Sequence, residues 1–104
     1  MTTVPAKPAF VYILDQVTEN GVGVTYVGWT TDVERRLAQH NDGSGARFTR
    51  GRQWRLLHVE SHPDQGEAMR REAELKRRRS LRAALVAQAR ASHRVCRSGG
   101  AVGG

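Results

Sequence analysis

The sequence predicts an α+β domain in which strands come first and helices close the chain. Three observations carry this expectation. Two β-prone runs, Ala9 to Asp15 and Val24 to Gly28, are separated by turn-forming residues; a third apolar run, Gln53 to Ser61, follows a helix-start signature; and the residues after Asp64 change to a helical period. At 104 residues with 38% hydrophobic content the chain supports one small domain with a modest core. The expected division is an N-terminal extension over 1–8, a domain over 9–91 that includes a basic C-terminal helix, and a flexible tail over 92–104, where Ser, Gly and Arg replace any core-forming pattern.

Each element follows from local chemistry. Asn20-Gly21 and Gly23 tolerate positive φ, so the first two strands read as a hairpin with a long loop. Thr31 and Glu34 form a capping box that starts a helix of about ten residues ending near Asn41. A loop rich in glycine and arginine, Asp42 to Arg52, leads to the third strand, which carries Trp54, Leu56, Leu57 and Val59. Asp64 and Glu67 open a second helix, Gln65 to Arg79, and Ser80 caps a third that runs to about Arg90.

Cysteine and charge narrow the function classes. Cys96 is alone, which excludes an intrachain disulfide and the common zinc spacings. The N-terminal residues hold no apolar run suited to a signal peptide or a membrane span, so the expected setting is cytoplasmic, with no membrane partner. The net charge of +7 is concentrated at one end: residues 1–75 hold nine basic and ten acidic side chains, and residues 76–104 hold eight basic and none acidic. Fifteen of the 17 basic residues are arginine, whose planar fork suits phosphate. Nucleic acid is therefore the leading partner, with a solvated tail or acidic lipid as the competing explanations.

Two helices place polar groups where apolar ones are expected. Val33, Arg36, Leu37 and His40 share one face, so Arg36 and His40 should lie at the margin of the helix–sheet contact and point toward the strands. A snorkelling arginine and a hydrogen-bonded histidine would explain that helix taken alone. Ala68, Met69, Glu72 and Leu75 form the stripe of the second helix, and Glu72 within it needs a partner, either Arg36 or a divalent cation bound together with phosphate oxygens. Glu74 should face solvent. Tyr12 and Tyr26 can share one sheet face, although cross-strand packing is the usual purpose of such a pair. Arg47, Arg50, Arg52 and Arg55, interleaved with Phe48 and Trp54, can grip phosphates and stack an unpaired base, with Trp54 read as core. Lys76, Arg77, Arg78 and Arg79 would contact nucleic-acid backbone without reading sequence.

Together these residues resemble the GIY-YIG endonucleases. Phe10-Val11-Tyr12 is similar to the family's first triplet and Tyr26-Val27-Gly28 to its second; Arg36 and His40 follow on a helix, and Glu72 matches the metal-binding glutamate. The segment Glu67 to Lys76 resembles that of small stand-alone bacterial members, and Gly45 to Gly51 lies between the helices as in that group. The resemblance covers residues 10 to about 80. It implies a three-stranded antiparallel sheet flanked by helices and hydrolysis of DNA phosphodiester bonds with one magnesium ion, for which manganese could substitute. In that reading Glu72 holds the metal, Arg36 stabilises the transition state, and Tyr12 activates water with Tyr26 or His40 assisting. A free phenol has a pKa of roughly 10 and imidazole one near 6.5, so the choice of base stays open between Tyr12 and His40. Gly28 would allow close backbone approach at the site.

Two departures from the family pattern stand out. Phe10 replaces the first glycine of the name motif. Asn41 is the last asparagine, so the family's C-terminal asparagine has no counterpart. The expected function is a structure-selective endonuclease of DNA repair or processing, acting on branched, nicked or single-stranded DNA with a protein partner for targeting. The alternative is a non-hydrolytic or partner-dependent nucleic-acid-binding protein on the same fold.

Overall fold

A computed structural model describes residues 7–19 and 23–103, with side chains through 92. Strands β1 (Ala9–Gln16), β2 (Thr25–Thr30) and β3 (Trp54–His62) form an antiparallel sheet in the order β2-β1-β3. Helix α1 (Val33–Asp42) and a short 3-10 turn (Arg47–Thr49) join β2 to β3, and α2 (Gln65–Arg77) and α3 (Arg79–Gly103) complete the chain. The expected α+β class and strand number hold. The Asn20-Gly21 turn and residues 1–6 of the N-terminal extension lie outside the described residues, as do the side chains of 93–104, Cys96 among them.

Central position explains the composition of β1. Its run Ala9 to Asp15 is buried on both faces except at Phe10, because helices cover the sheet on both sides. Val11, Ile13 and Val27 face α2 and α3 and meet Ala68, Leu75 and Val86. Tyr12 and Leu14 face the other way, with Trp54, Tyr26 and Leu37 of α1. Leu56 and Leu57 alternate to opposite faces of β3: Leu56 pairs with Leu14 on the α1 side, while Leu57, at a bulge, enters the α2–α3 core.

Several boundaries differ from those expected. The N-cap of α1 is Asp32, whose carboxylate accepts from Arg35 N at 3.1 Å, and not Thr31; a capping-box pattern one residue out of register sits beside a better acceptor. Gly43, at φ +88°, ends α1 in the left-handed conformation that glycine adopts freely. Asp64 caps α2 as expected, but α2 stops at Arg77, where Arg82 Nη1 takes the carbonyls of Leu75 and Lys76 at 3.1 and 3.2 Å. Helix α3 starts one residue before Ser80 and continues beyond Arg90.

A buried ionic clamp ties the layers together. Asp15 lies inside the fold and accepts from Arg55 of β3 at 3.0 Å and from Arg90 of α3 at 2.7 Å. Burial acts to raise the Asp15 pKa, but the two guanidinium groups outweigh it and hold the carboxyl below its ordinary range.

Candidate active site

The two phenols are set by strand register. Tyr12 pairs with Gly28 and Leu14 with Tyr26, so Tyr12 and Tyr26 stand on one face with ring centroids 6.5 Å apart. Gly28 is the empty position that Tyr12 fills: a Cβ there would lie 2.6 Å from Tyr12 Cζ and closer still to its hydroxyl. The phenol therefore lies across the edge strand.

His40 stands behind Tyr12. It is fully buried, at 0% exposure, and not at the margin of the helix–sheet contact as its sequence position implied. Its burial rests on Gly45, where a Cβ would fall 2.7 Å from His40 Nδ1. Tyr26 packs on the imidazole with centroids 5.0 Å apart. Asn41 secures the end of the helix by a two-way bond with the Trp54 backbone, at 2.7 and 3.1 Å.

The single proton of the Thr49 hydroxyl sets the direction of the hydrogen-bond chain through His40. The Thr49 hydroxyl has one proton and gives it to the Ala46 carbonyl at 2.7 Å, so toward His40 Nδ1, at 2.8 Å, its oxygen can only accept. Nδ1 therefore carries hydrogen. Burial, then the charge of Arg36, lower the His40 pKa and keep the ring neutral at neutral pH, which leaves Nε2 as an acceptor. The Tyr12 hydroxyl, 2.8 Å away, must donate to it. Burial is the main cause that pushes the Tyr12 pKa up to about 12; Tyr26 and Glu72 add to it, and Arg36 opposes it. On its other side the Tyr12 oxygen accepts from the Arg36 side chain, which leaves one lone pair for a further donor.

Arg36 and Glu72 both act electrostatically on Tyr12, so α1 and α2 bring opposite charges to one phenol. They do not pair with each other. Arg36 Nη1 donates to Gln39 Oε1 at 3.0 Å, and Glu72 meets Lys76 Nζ at 3.6 Å. Lys76 also lies over the Tyr26 ring, 6.0 Å from its centroid, which places it beside the candidate site. Met69, expected in the stripe, is 46% exposed, and the buried residues of α2 are Ala68 and Leu75. Glu74 is not simply solvated: it accepts from Arg71 at 2.7 Å and from Arg78 at 3.1 Å.

The basic residues separate into committed and uncommitted groups. Arg55 is spent on Asp15 and Arg78 on Glu74. Arg52 donates to Gln16 and sits 5.1 Å over the Phe48 ring. Arg47, Arg50, Arg77 and Arg79 are exposed, and none makes a side-chain hydrogen bond or ion pair among the described residues. Trp54 is buried as expected and donates from Nε1 to Thr49 O at 3.0 Å.

Sheet, helix order and this convergence of Tyr12, Tyr26, Arg36, His40 and Glu72 define a GIY-YIG catalytic domain. The family model of that description matches residues 8–82, and the chain belongs to the GIY-YIG family. Its relatives include a UPF0213 protein of Halobacterium salinarum, 52% identical over 61 residues that make up 58% of this chain and 79% of the relative. A UPF0213 protein of Streptococcus agalactiae is 46% identical over 72 residues, 68% of this chain and 77% of its own. The solution NMR structure of a UPF0213 protein from Bacillus halodurans is 41% identical and covers 78% of this chain and 84% of that one, with a TM-score of 0.45. Nuclease chemistry on a nucleic-acid substrate is what a GIY-YIG catalytic domain implies. Among the described residues no helix is long and apolar enough to cross a membrane.

Proposed function

We propose that this protein is a magnesium-dependent endonuclease that hydrolyses DNA phosphodiester bonds in DNA repair or processing, selecting its substrate by structure. The observation that carries this reading is the directed hydrogen-bond chain from Tyr12 through His40 to Thr49, set beside Arg36 and Glu72. With its pKa raised to about 12, Tyr12 is not a standing phenolate at neutral pH. It serves instead as a relay. As water oxygen bonds to phosphorus, a water proton passes to the Tyr12 oxygen, the Tyr12 proton passes to His40 Nε2, and the bond from phosphorus to the leaving oxygen breaks with its electron pair. Buried His40 is thus the proton's destination and Tyr12 the group that meets water. Arg36 stabilises charge on the phosphate, and the phosphate in turn offsets Arg36's repulsion of an imidazolium.

The donor set fits one hard cation. No group of three His, Cys, Asp or Glu side chains converges among the described residues, and a single carboxylate with water and phosphate oxygens matches magnesium or manganese better than zinc. Glu72 would hold the ion, which when bound would polarise the scissile phosphate. Lys76 must swing away from Glu72 to allow this. That pairing favours a second reading, a DNA-binding protein that hydrolyses only with a partner present.

The test incubates the purified protein with magnesium on duplex, single-stranded, flapped and branched DNA, beside Glu72→Ala and Tyr12→Phe. Cleavage should disappear in both variants while DNA binding persists. Equal cleavage by Glu72→Ala would overturn the metal assignment, and binding without cleavage by the unaltered protein would favour the second reading.

A further inference from the structure

The 3-10 turn carries two neighbours with opposite fates. Thr49 is buried against His40, whereas Phe48 is 49% exposed. Its ring stacks on Tyr26, 6.2 Å between centroids and 20° between planes, and the Arg52 guanidinium lies over it. Phe48 also walls a groove of about 620 Å³ between β2 and α3, with Val24 and Val86 in its lining and Arg79, Arg82 and Arg90 around it. No carboxylate lines this groove. Arg90 and Arg82 are held by Asp15 and by the end of α2, so their positions are fixed, and Arg79 has no partner among the described residues. An aromatic ring with a guanidinium over it, beside Arg79 and Arg82, which have no acid partner among the described residues, matches a flat base on a phosphate chain.

We propose that this groove binds an unpaired nucleotide of single-stranded DNA, its base stacked on the Phe48–Arg52 platform and its phosphates held by Arg79 with Arg47 and Arg50. Paired bases are hidden in their own stack and cannot reach Phe48, so the groove distinguishes single strands from duplex. Ring steps of 6.2 Å from Phe48 to Tyr26 and 6.5 Å from Tyr26 to Tyr12 put the bound base within a few nucleotides of Tyr12. The position of the base relative to a cut rests on the nuclease reading; the binding itself does not.

Binding is measured without metal, by fluorescence anisotropy of the full chain with a labelled oligothymidylate and with a duplex of matched length. Phe48→Ala should weaken single-strand binding roughly tenfold, the loss expected for one stacked base, and leave duplex binding unchanged. Phe48→Trp should restore it. Because Phe48 packs on Tyr26, Arg79→Glu provides a second probe on an exposed helix start, and it should lower single-strand affinity and flatten its salt dependence. Unchanged single-strand affinity in Phe48→Ala or in Arg79→Glu, or equal losses on both DNAs in Phe48→Ala, would overturn the proposal. If the binding results hold and no DNA is ever cut, the groove stands and the nuclease reading falls; cleavage with Phe48-independent binding gives the reverse.

Discussion

Replacing Thr49 by valine should reverse the proton order at Tyr12 while keeping the shape of the site. Valine fills nearly the same volume but removes the hydroxyl that joins His40 Nδ1, at 2.8 Å, to the Ala46 carbonyl, at 2.7 Å. A buried donor left unpaired costs about 1–3 kcal/mol. His40 can escape that cost by moving its hydrogen to Nε2, which then donates to Tyr12 and forces the phenol proton toward the cleft. The stability loss should accordingly fall near the lower end, about 1–2 kcal/mol, because the Ala46 carbonyl still accepts from the backbone N–H of position 49 at 3.0 Å and the group left without a partner is the imidazole Nδ1, now an acceptor. The effect on turnover should be larger. A lost general-base pathway is worth about 10²–10⁴ in rate, so we expect cleavage to fall at least about a hundredfold with DNA affinity little changed. Thr49→Ser keeps the hydroxyl and should restore both properties. Nitrogen NMR of the His40 ring reads the tautomer directly, with no need for cleavage, and thermal unfolding gives the stability. A Thr49→Val protein whose Nδ1 remains protonated, or which cuts DNA at the full rate after switching tautomer, would refute the reasoning.

Gly28→Ala should displace the Tyr12 phenol, because the new methyl group overlaps its hydroxyl; we expect a loss of about 1–3 kcal/mol in urea unfolding and a broken Tyr12–His40 bond by NMR. The pH dependence of stability should carry the mark of Glu60. Burial acts to raise its pKa, but hydrogen bonds from Arg71, His58 and His62 and the charge of Arg71 hold it down at about 2. Its stabilisation is complete above the ordinary carboxylate pKa of about 4.5 and is lost as pH falls toward 2, on the order of 3 kcal/mol in all. Glu60→Gln should flatten acid unfolding over that window, and an unchanged acid limb would refute the assignment.

The parts of the site legible in the sequence are those whose signal is local. Tyr12 and Tyr26 stand in β-prone runs, and Arg36, His40 and Glu72 interrupt apolar helix faces, so spacing singles them out and the family resemblance supplies their roles. What escaped depends on the meeting of distant segments. Thr49 looks like any loop threonine until the turn folds under His40, nine residues away. Asn41 resembles an ordinary helix end, yet it holds the β3 backbone. The depth of His40 could not be read from a helical face, because Gly45 and the turn that cover it come later in the chain. Asp15 reads as the end of a strand, and its partners lie 40 and 75 residues downstream. The Thr31 cap failed for a smaller reason: adjacent Thr31 and Asp32 both suit an N-cap, and one residue of register decides between them.

The clamp at Asp15 also bears on how the protein is made. Every catalytic candidate has left the ribosome by Glu72, and the family match ends at 82, yet the residue that completes the clamp is Arg90. During synthesis the Asp15 carboxylate has Arg55 as its ionic partner well before Arg90, 35 residues further along the chain, can reach it. A fragment trimmed to the matched segment would keep the chemistry of the site and lose both that last charge and Val86 of the core. In this molecule α3 is a latch across the sheet, supplied by residues that lie beyond the family match.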